Sequence, residues 1–370
     1  MKVLLISNGS PLSAGGAETR CLELARNLVK LNSKVVIIAG KTKNHYKNEM
    51  VVDGVRIYHV NIVNFLSDTT NLHLYLTHLL FPAFSVFKII KVIREFKPDI
   101  IDDSITTSSI PFPSIAPFFK AIGTRHEHYP KFWPKGFKFW FSVILFYCCN
   151  VSLILPYKGY IAVSQTTKRN LINSTKKPVY FIPNGVNLNE FKLKANEKNE
   201  ILVFGRLVAH KNHKTLIRAM TLIKDVKLRI IGEGPLKNNL IRLSKRLGIR
   251  DRIVFDGYVN RDTLIKRMNE ARIVVVPSLY EGFGIVVVEA MACKKAIIAS
   301  DIDVFKELIK DNYNGILFKK SDANDLANKI IYLLKNEKVR SKLKRNAYKT
   351  ALNYDWKTIA KKYLEVLKKC

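Results

Sequence analysis

The chain has 370 residues, 48% of them hydrophobic, which excludes a disordered or fibrous protein and supplies core for two domains of ordinary size. Its 62 basic against 30 acidic residues give a net charge of +32. Such a field attracts polyanions, either nucleic acid or an anionic membrane leaflet, although a solvated lysine-rich surface explains the number equally well.

In chain order, Val3-Leu4-Leu5-Ile6 is too short an apolar run for a signal-peptide core and reads as a first core strand. Further strands are expected at residues 35–39, 100–101 and 161–163, then at 201–204, 227–231, 253–255, 273–276 and 296–299. Amphipathic stretches lie between them, at residues 17–31 with Leu22, Leu24, Leu28 and Leu31, and at residues 214–223. This alternation predicts an α/β architecture with mainly parallel sheets.

Residues 129–156 (YPKFWPKGFKFWFSVILFYCCNVSLILP) interleave aromatics with lysines and then run apolar. The uncharged part, residues 139–156, reaches the length of a membrane span, but Asn150, Ser142 and Ser152 weaken that reading. A buried or interface helix is expected, or a helix lying in the headgroup region.

A composition break at Ile182-Pro183-Asn184-Gly185-Val186-Asn187, followed by the charged run 192–200, places the linker. The domains expected are residues 1–182 and 183–354. The five cysteines form no C-x-x-C pair and no ligand-like spacing with histidine, so neither zinc site nor disulfide framework is expected, and the cytoplasm is the expected compartment.

Ligand contacts in doubly wound domains gather at the C-terminal ends of strands, so the loops there are the place to search. The first is Ser13-Ala14-Gly15-Gly16-Ala17-Glu18, a glycine turn opening a helix. It is neither a G-x-G-x-x-G fingerprint nor a Walker loop. After residues 201–204 comes Gly205-Arg206-Leu207-Val208-Ala209-His210-Lys211-Asn212. An arginine fork and a lysine point charge there suit a diphosphate, and could offset charge on a leaving group without a metal. Gly232-Glu233-Gly234-Pro235 repeats the strand, glycine turn and helix start.

The stretch Leu279-Tyr280-Glu281-Gly282-Phe283-Gly284-Ile285-Val286-Val287-Val288-Glu289-Ala290 reads locally as a strand. Strands at 273–276 and 296–299, however, leave room only for a loop and a short crossover helix. Residues 285–292 are therefore expected to be helical against local propensity. Glu281 then lies in the loop, Gly282, Phe283, Gly284 and Ile285 offer amides at a helix N-terminus, and Glu289 lies one turn in.

Glu281 and Glu289, with seven residues between them, resemble the E-x7-E motif of retaining GT-B glycosyltransferases of the family 4 or group 1 type. The likeness extends through Gly15-Gly16-Ala17-Glu18, Val163-Ser164, Ile182-Pro183-Asn184-Gly185-Val186, Gly205-Arg206-Leu207 with Lys211, Gly232-Glu233-Gly234-Pro235, Pro277-Ser278 and Asn314-Gly315-Ile316-Leu317. Each motif is weak, but their order and spacing together are specific.

The resemblance implies two Rossmann-like domains facing a cleft, the last helix (355–370, with Trp356 and Tyr363) packing back on the first domain. It implies a hexosyltransferase that moves sugar from a nucleotide diphosphate-sugar to a glycan or lipid-linked acceptor, with retention, no metal and no cofactor. Arg206 and Lys211 would hold the diphosphate, the amides around Phe283 to Ile285 donor phosphate or sugar, Glu289 the ribose, and Glu281 the donor-sugar hydroxyls. Glu233 would contact donor as well. The Gly15-Gly16 loop would approach the donor's reactive end, and His126, in GTRHEHYP, would position acceptor; neighbouring Glu127 and His128 are alternatives.

After residues 296–299 the family commonly has a glycine pair and Pro-Glu, whereas this chain has Ser300-Asp301-Ile302-Asp303-Val304-Phe305-Lys306-Glu307. Asp301-x-Asp303 imitates the D-x-D metal motif of the other large glycosyltransferase fold. A nucleotide-sugar epimerase and a non-catalytic nucleotide-sugar-binding protein are the competing readings. An anionic membrane surface on the cytosolic side is a candidate partner, and no nucleic-acid module is recognisable.

Overall fold

A computed structural model describes all residues except 14, 42–44, 62–70, 106–114, 128–152 and 192–195, and the side chains of 71–80, 82 and 105 are likewise outside the description. The chain divides into two compact units, Met1–Asn184 with Trp356–Cys370, and Gly185–Asp355. Most of the aromatic and apolar stretch 129–156 lies outside the described residues.

The first unit runs β1 (Lys2–Ser7), α1 (Gly16–Lys30), β2 (Lys34–Gly40), β3 (Glu49–Val52), β4 (Val55–Val60), α2 (Asn71–Phe96), β5 (Ile100–Ile105), β6 (Ala121–Arg125), β7 (Tyr160–Ala162), α3 (Gln165–Ile172) and β8 (Val179–Phe181). Its sheet has the order β3-β4-β2-β1-β5-β6-β7-β8. Neighbours are parallel except β3 and β4, a hairpin turning at Asp53-Gly54, both with positive φ. The unexpected hairpin is amphipathic and short, so it lacks the continuous apolar run of the buried strands.

The second unit runs β9 (Glu200–Phe204), α4 (His213–Ala219), β10 (Lys227–Ile231), α5 (Lys237–Arg246), β11 (Ile253–Gly257), α6 (Arg261–Glu270), β12 (Ile273–Val276), α7 (Ile285–Ala292), β13 (Ala296–Ser300), α8 (Asp303–Leu308), β14 (Ile316–Phe318), α9 (Ala323–Lys335) and α10 (Glu337–Ala351). The sheet is wholly parallel, in the order β11-β10-β9-β12-β13-β14. Strands β9, β12 and β13 are buried throughout. The helix expected over 214–223 ends at Ala219 and tightens to a 3₁₀ turn at Met220–Leu222.

Residues 285–292 form α7, with Val286, Val287 and Val288 buried. β-Branched residues cost at most about 0.7 kcal/mol each in a helix. Burying a valine side chain gains about 1.5 kcal/mol or more, so packing decides. Gly284 caps this helix at φ 88, and a Cβ there would lie 2.6 Å from the Phe305 ring.

The final helix, α11 (Trp356–Lys369), belongs to the first unit, where Trp356, Ile359, Tyr363 and Leu367 share a core with Leu24 and Leu28 of α1. The Tyr363 hydroxyl donates to buried Asp102 of β5, which also accepts from Thr124 at 2.9 Å. Burial raises the Asp102 carboxyl above its ordinary value, against the lowering effect of these two hydroxyls. Tyr363→Phe removes one of them and should lower stability by about 1–3 kcal/mol in urea denaturation. No change would mean that the hydroxyl does not tie α11 to the sheet.

Candidate functional site

In the second sheet the chain winds from β9 outward to β11, then returns to the other side of β9 for β12, β13 and β14. The order reverses between β9 and β12, the place where the ligand loops of such sheets gather. Those loops carry Arg206 and Lys211 on one side and Glu281 on the other.

Lys211 Nζ lies 2.6 Å from Glu281 Oε1, and both side chains are largely buried. Ser278 Oγ donates to the same oxygen at 2.7 Å. Burial would raise the Glu281 carboxyl, but the Lys211 charge and these two hydrogen bonds outweigh it and hold it below the usual carboxylate range. The Leu279 amide donates to the His210 carbonyl at 2.7 Å, and the His210 and Tyr280 rings stack at 4.7 Å. Burial first, then Lys211, pulls His210 down to about 4, so its ring is neutral at pH 7. Arg206 is exposed and forms no ion pair among the described residues.

Gly282, Phe283, Gly284 and Ile285 form the turn into α7, whose first amides lack intrahelical acceptors. Glu289 is buried on α7 and held by Arg261 Nη1 at 2.5 Å. Arg261 also reaches Glu190 at 3.1 Å and lies over the Phe191 ring. Glu233 is exposed and pairs with Lys237 at 2.8 Å. Thus Glu281 and Glu289 do not share a partner. Arg261 and the His210–Tyr280 stack are additions that sequence reasoning missed, and Ser278, part of the Pro277-Ser278 motif, gains a role as a hydrogen-bond donor to Glu281.

In the first unit the strand order reverses between β1 and β5. Gly15 and Gly16 follow β1 at the start of α1, and the Glu18 carboxylate folds back over Gly9 and Gly15: a Cβ on Gly15 would lie 2.0 Å from Glu18 Oε2, and one on Gly9 2.6 Å from Oε1. His126 follows β6, with Nε2 2.9 Å from Ser104 Oγ of β5. Burial and, secondarily, the Arg20 charge lower the His126 ring below its ordinary value, leaving it neutral. Buried Arg20 donates to the Pro183 carbonyl and to Asn184 Oδ1, both at 2.9 Å. No hydrogen bond among the described residues joins Gly15 or Gly16 to His126. Glu127 is described and His128 is not.

Asp301, half of the D-x-D pattern, pairs with Lys306 at 2.6 Å. Among the described residues no group of three or more His, Cys, Asp or Glu is placed to hold a metal ion. No described helix is long and apolar enough to cross a membrane.

Residues 14–190 match the family model described as Glycosyltransferase Family 4, and residues 187–350 match that of Glycosyl transferases group 1. The chain belongs to this family of glycosyltransferases and is an enzyme of that class. An uncharacterized glycosyltransferase of Methanocaldococcus jannaschii is 28% identical, over all of this chain and 98% of its own length. The N,N'-diacetylbacillosaminyl-diphospho-undecaprenol alpha-1,3-N-acetylgalactosaminyltransferase of Campylobacter jejuni is 33% identical over 51% of this chain and 50% of its own. Anabaena HepE, solved with UDP and glucose, aligns over 100% of both chains with a TM-score of 0.77 at 21% identity. The fold, two parallel-sheet α/β domains, is that of GT-B glycosyltransferases.

Lys211→Met leaves Glu281 buried beside Ser278 alone. Glu281 in the folded protein has a lowered pKa, so its stabilisation is present above the unfolded value and is lost as pH falls through the folded one. The variant should lose about 3 kcal/mol at neutral pH. It should also show a higher Glu281 titration midpoint by carboxyl ¹³C NMR; an unmoved midpoint would contradict the coupling.

Proposed function

We propose that the chain transfers a sugar from a nucleotide diphosphate-sugar to a glycan or lipid-linked acceptor, with retention at the anomeric carbon and without a divalent metal. The observation that carries this reading is the Lys211–Glu281 pair across the switch point, with the uncommitted Arg206 on the same loop. Two cations there match a diphosphate, and the ionised carboxylate matches sugar hydroxyls.

In this reading Lys211 exchanges its bond to Glu281 for the donor's phosphates, Arg206 joins it, and the two neutralise charge gathering on the leaving nucleoside diphosphate. Glu281 then accepts from donor-sugar hydroxyls. The amides of Gly282, Phe283, Gly284 and Ile285 take donor phosphate or sugar oxygens, and Glu289, held in place by Arg261, accepts from ribose hydroxyls. Glu233 is a further donor contact. Gly15 and Gly16 approach the donor's reactive end, while His126, neutral and oriented by Ser104, positions the acceptor hydroxyl. The net charge of +32 supports work at an anionic membrane surface, and the lipid-linked substrate named for the Campylobacter relative supports a lipid-linked acceptor.

The purified chain should consume one of the UDP-, GDP- or ADP-sugars in the presence of acceptor, with turnover unaffected by EDTA and product of the donor's anomeric configuration by NMR. Inversion, or abolition by EDTA with recovery on Mg²⁺, would refute the corresponding part. Lys211→Ala and Arg206→Ala should each lower kcat/KM by about 100-fold or more, as expected for lost stabilisation of transition-state charge. Full activity in both would remove the diphosphate assignment.

A further inference from the structure

On the second unit, α4 (His213–Ala219) and α5 (Lys237–Arg246) flank a cavity of about 330 Å³. Val208, Leu236, Leu240 and Leu243 give it an apolar floor. Lys214, Arg218 and Arg246 line it, are exposed, and form no ion pair among the described residues; Arg242 lines the adjoining depression. Among the described residues no carboxylate lines either recess.

Two buried polar side chains in the wall carry unpartnered atoms, although Asn212 Oδ1 accepts from Thr215 Oγ1 at 3.0 Å. His213 is 3% exposed and Asn212 2% exposed. Neither ring nitrogen of His213 nor the Asn212 Nδ2 has a hydrogen-bond partner. Burying such groups unbonded costs about 1–3 kcal/mol each, which makes an unfilled donor set here a pointer to a ligand. The exposed lining charges are three cations, and the unbonded amide N–H₂ and one imidazole N–H lie buried in the wall, so the groups here are predominantly donors. Their complement is an anion rich in acceptor oxygens.

We propose that this cavity binds the phosphate headgroup of an anionic phospholipid, with the glycerol and first acyl carbons against Leu236, Leu240 and Leu243. The apolar floor favours a lipid over free phosphate, which would leave it unused. A single-stranded nucleic acid would need aromatic platforms, and among the described residues the only ring lining the cavity is the buried His213. The cavity's lining includes none of Arg206, Lys211 and Glu281, although Val208, Ala209 and Asn212 belong to the loop that carries the first two. It localises the membrane contact proposed above, and rests on that part of the reading.

The test uses the full chain in flotation with vesicles of phosphatidylcholine and phosphatidylglycerol, against phosphatidylcholine alone. Native protein should float with the mixed vesicles only. The double variant Arg218→Glu/Arg246→Glu should bind at least about tenfold more weakly, as reversal of charges near an anionic surface predicts. It should keep its thermal stability and its turnover of a water-soluble acceptor. Lys335→Glu/Lys338→Glu makes the same change in net charge on other exposed lysines, and should lose much less. Equal losses in the two pairs, or full binding by the first, would overturn the site. No flotation of the native chain would overturn the membrane reading as well. In NMR, dihexanoylphosphatidylglycerol should shift the His213 ring signals; an equal shift with the same concentration of inorganic phosphate would assign the cavity to free phosphate and overturn the lipid proposal.

Discussion

The right-handed crossover of parallel strands is the constraint from which the site follows. Once β9 and β12 lie side by side with their connections running to opposite sides of the sheet, the loops after them meet at the reversal of strand order. The Lys211–Glu281 bond spans that division within one sheet. It joins residues 70 apart in the chain, and Ser278 and the Leu279–His210 backbone bond hold the two loops in register around it. A charge pair this buried is weak evidence for added stability but strong evidence for fixed geometry, because either partner alone would be expensive to keep ionised.

The charges of the second unit sort into two populations. Arg229 lies between Glu200 and Asp256 with four hydrogen bonds of 2.7–3.1 Å, and Arg261 lies between Glu289 and Glu190. These guanidiniums are satisfied within the fold and fix the elements that carry them. Arg206, Lys214, Arg218 and Arg246 have no such partners among the described residues. An excess of cations over carboxylates therefore concentrates in side chains free to meet a ligand, which bears on binding more directly than the net charge does.

Much of the fold was legible because buried parallel strands are continuous apolar runs, as at residues 201–204, 273–276 and 296–299. The β3–β4 hairpin escaped that reading, although its Asp53-Gly54 turn carried a local signal. Helix α7 was legible only through topology, since its own residues favour a strand. The second-unit loops could be located from strand ends, but their pairings could not: nothing in local spacing joins Lys211 to Glu281, or Arg261 to Glu289. Ser104 beside His126, and Arg20 beside the 183–184 turn, likewise depend on contacts made by distant segments.

The glycine turns take on a more specific meaning in three dimensions. Gly232 has φ 136, and a Cβ there would lie 2.0 Å from the Gly205 carbonyl oxygen; one on Gly234, with φ 157, would lie 2.6 Å from that of Leu207. Backbone bonds from Gly205 to Ile231 and from Leu207 to Glu233 lock the same two loops together. These glycines are thus required for one loop to lie against the other, whether or not a ligand is near. The consequence is a rigid frame beneath a free guanidinium: the backbone of Arg206 is fixed while its side chain remains exposed. In the proposed function, recognition here falls to charged side chains set on loops already tied by backbone bonds, with little ordering of backbone left to oppose binding.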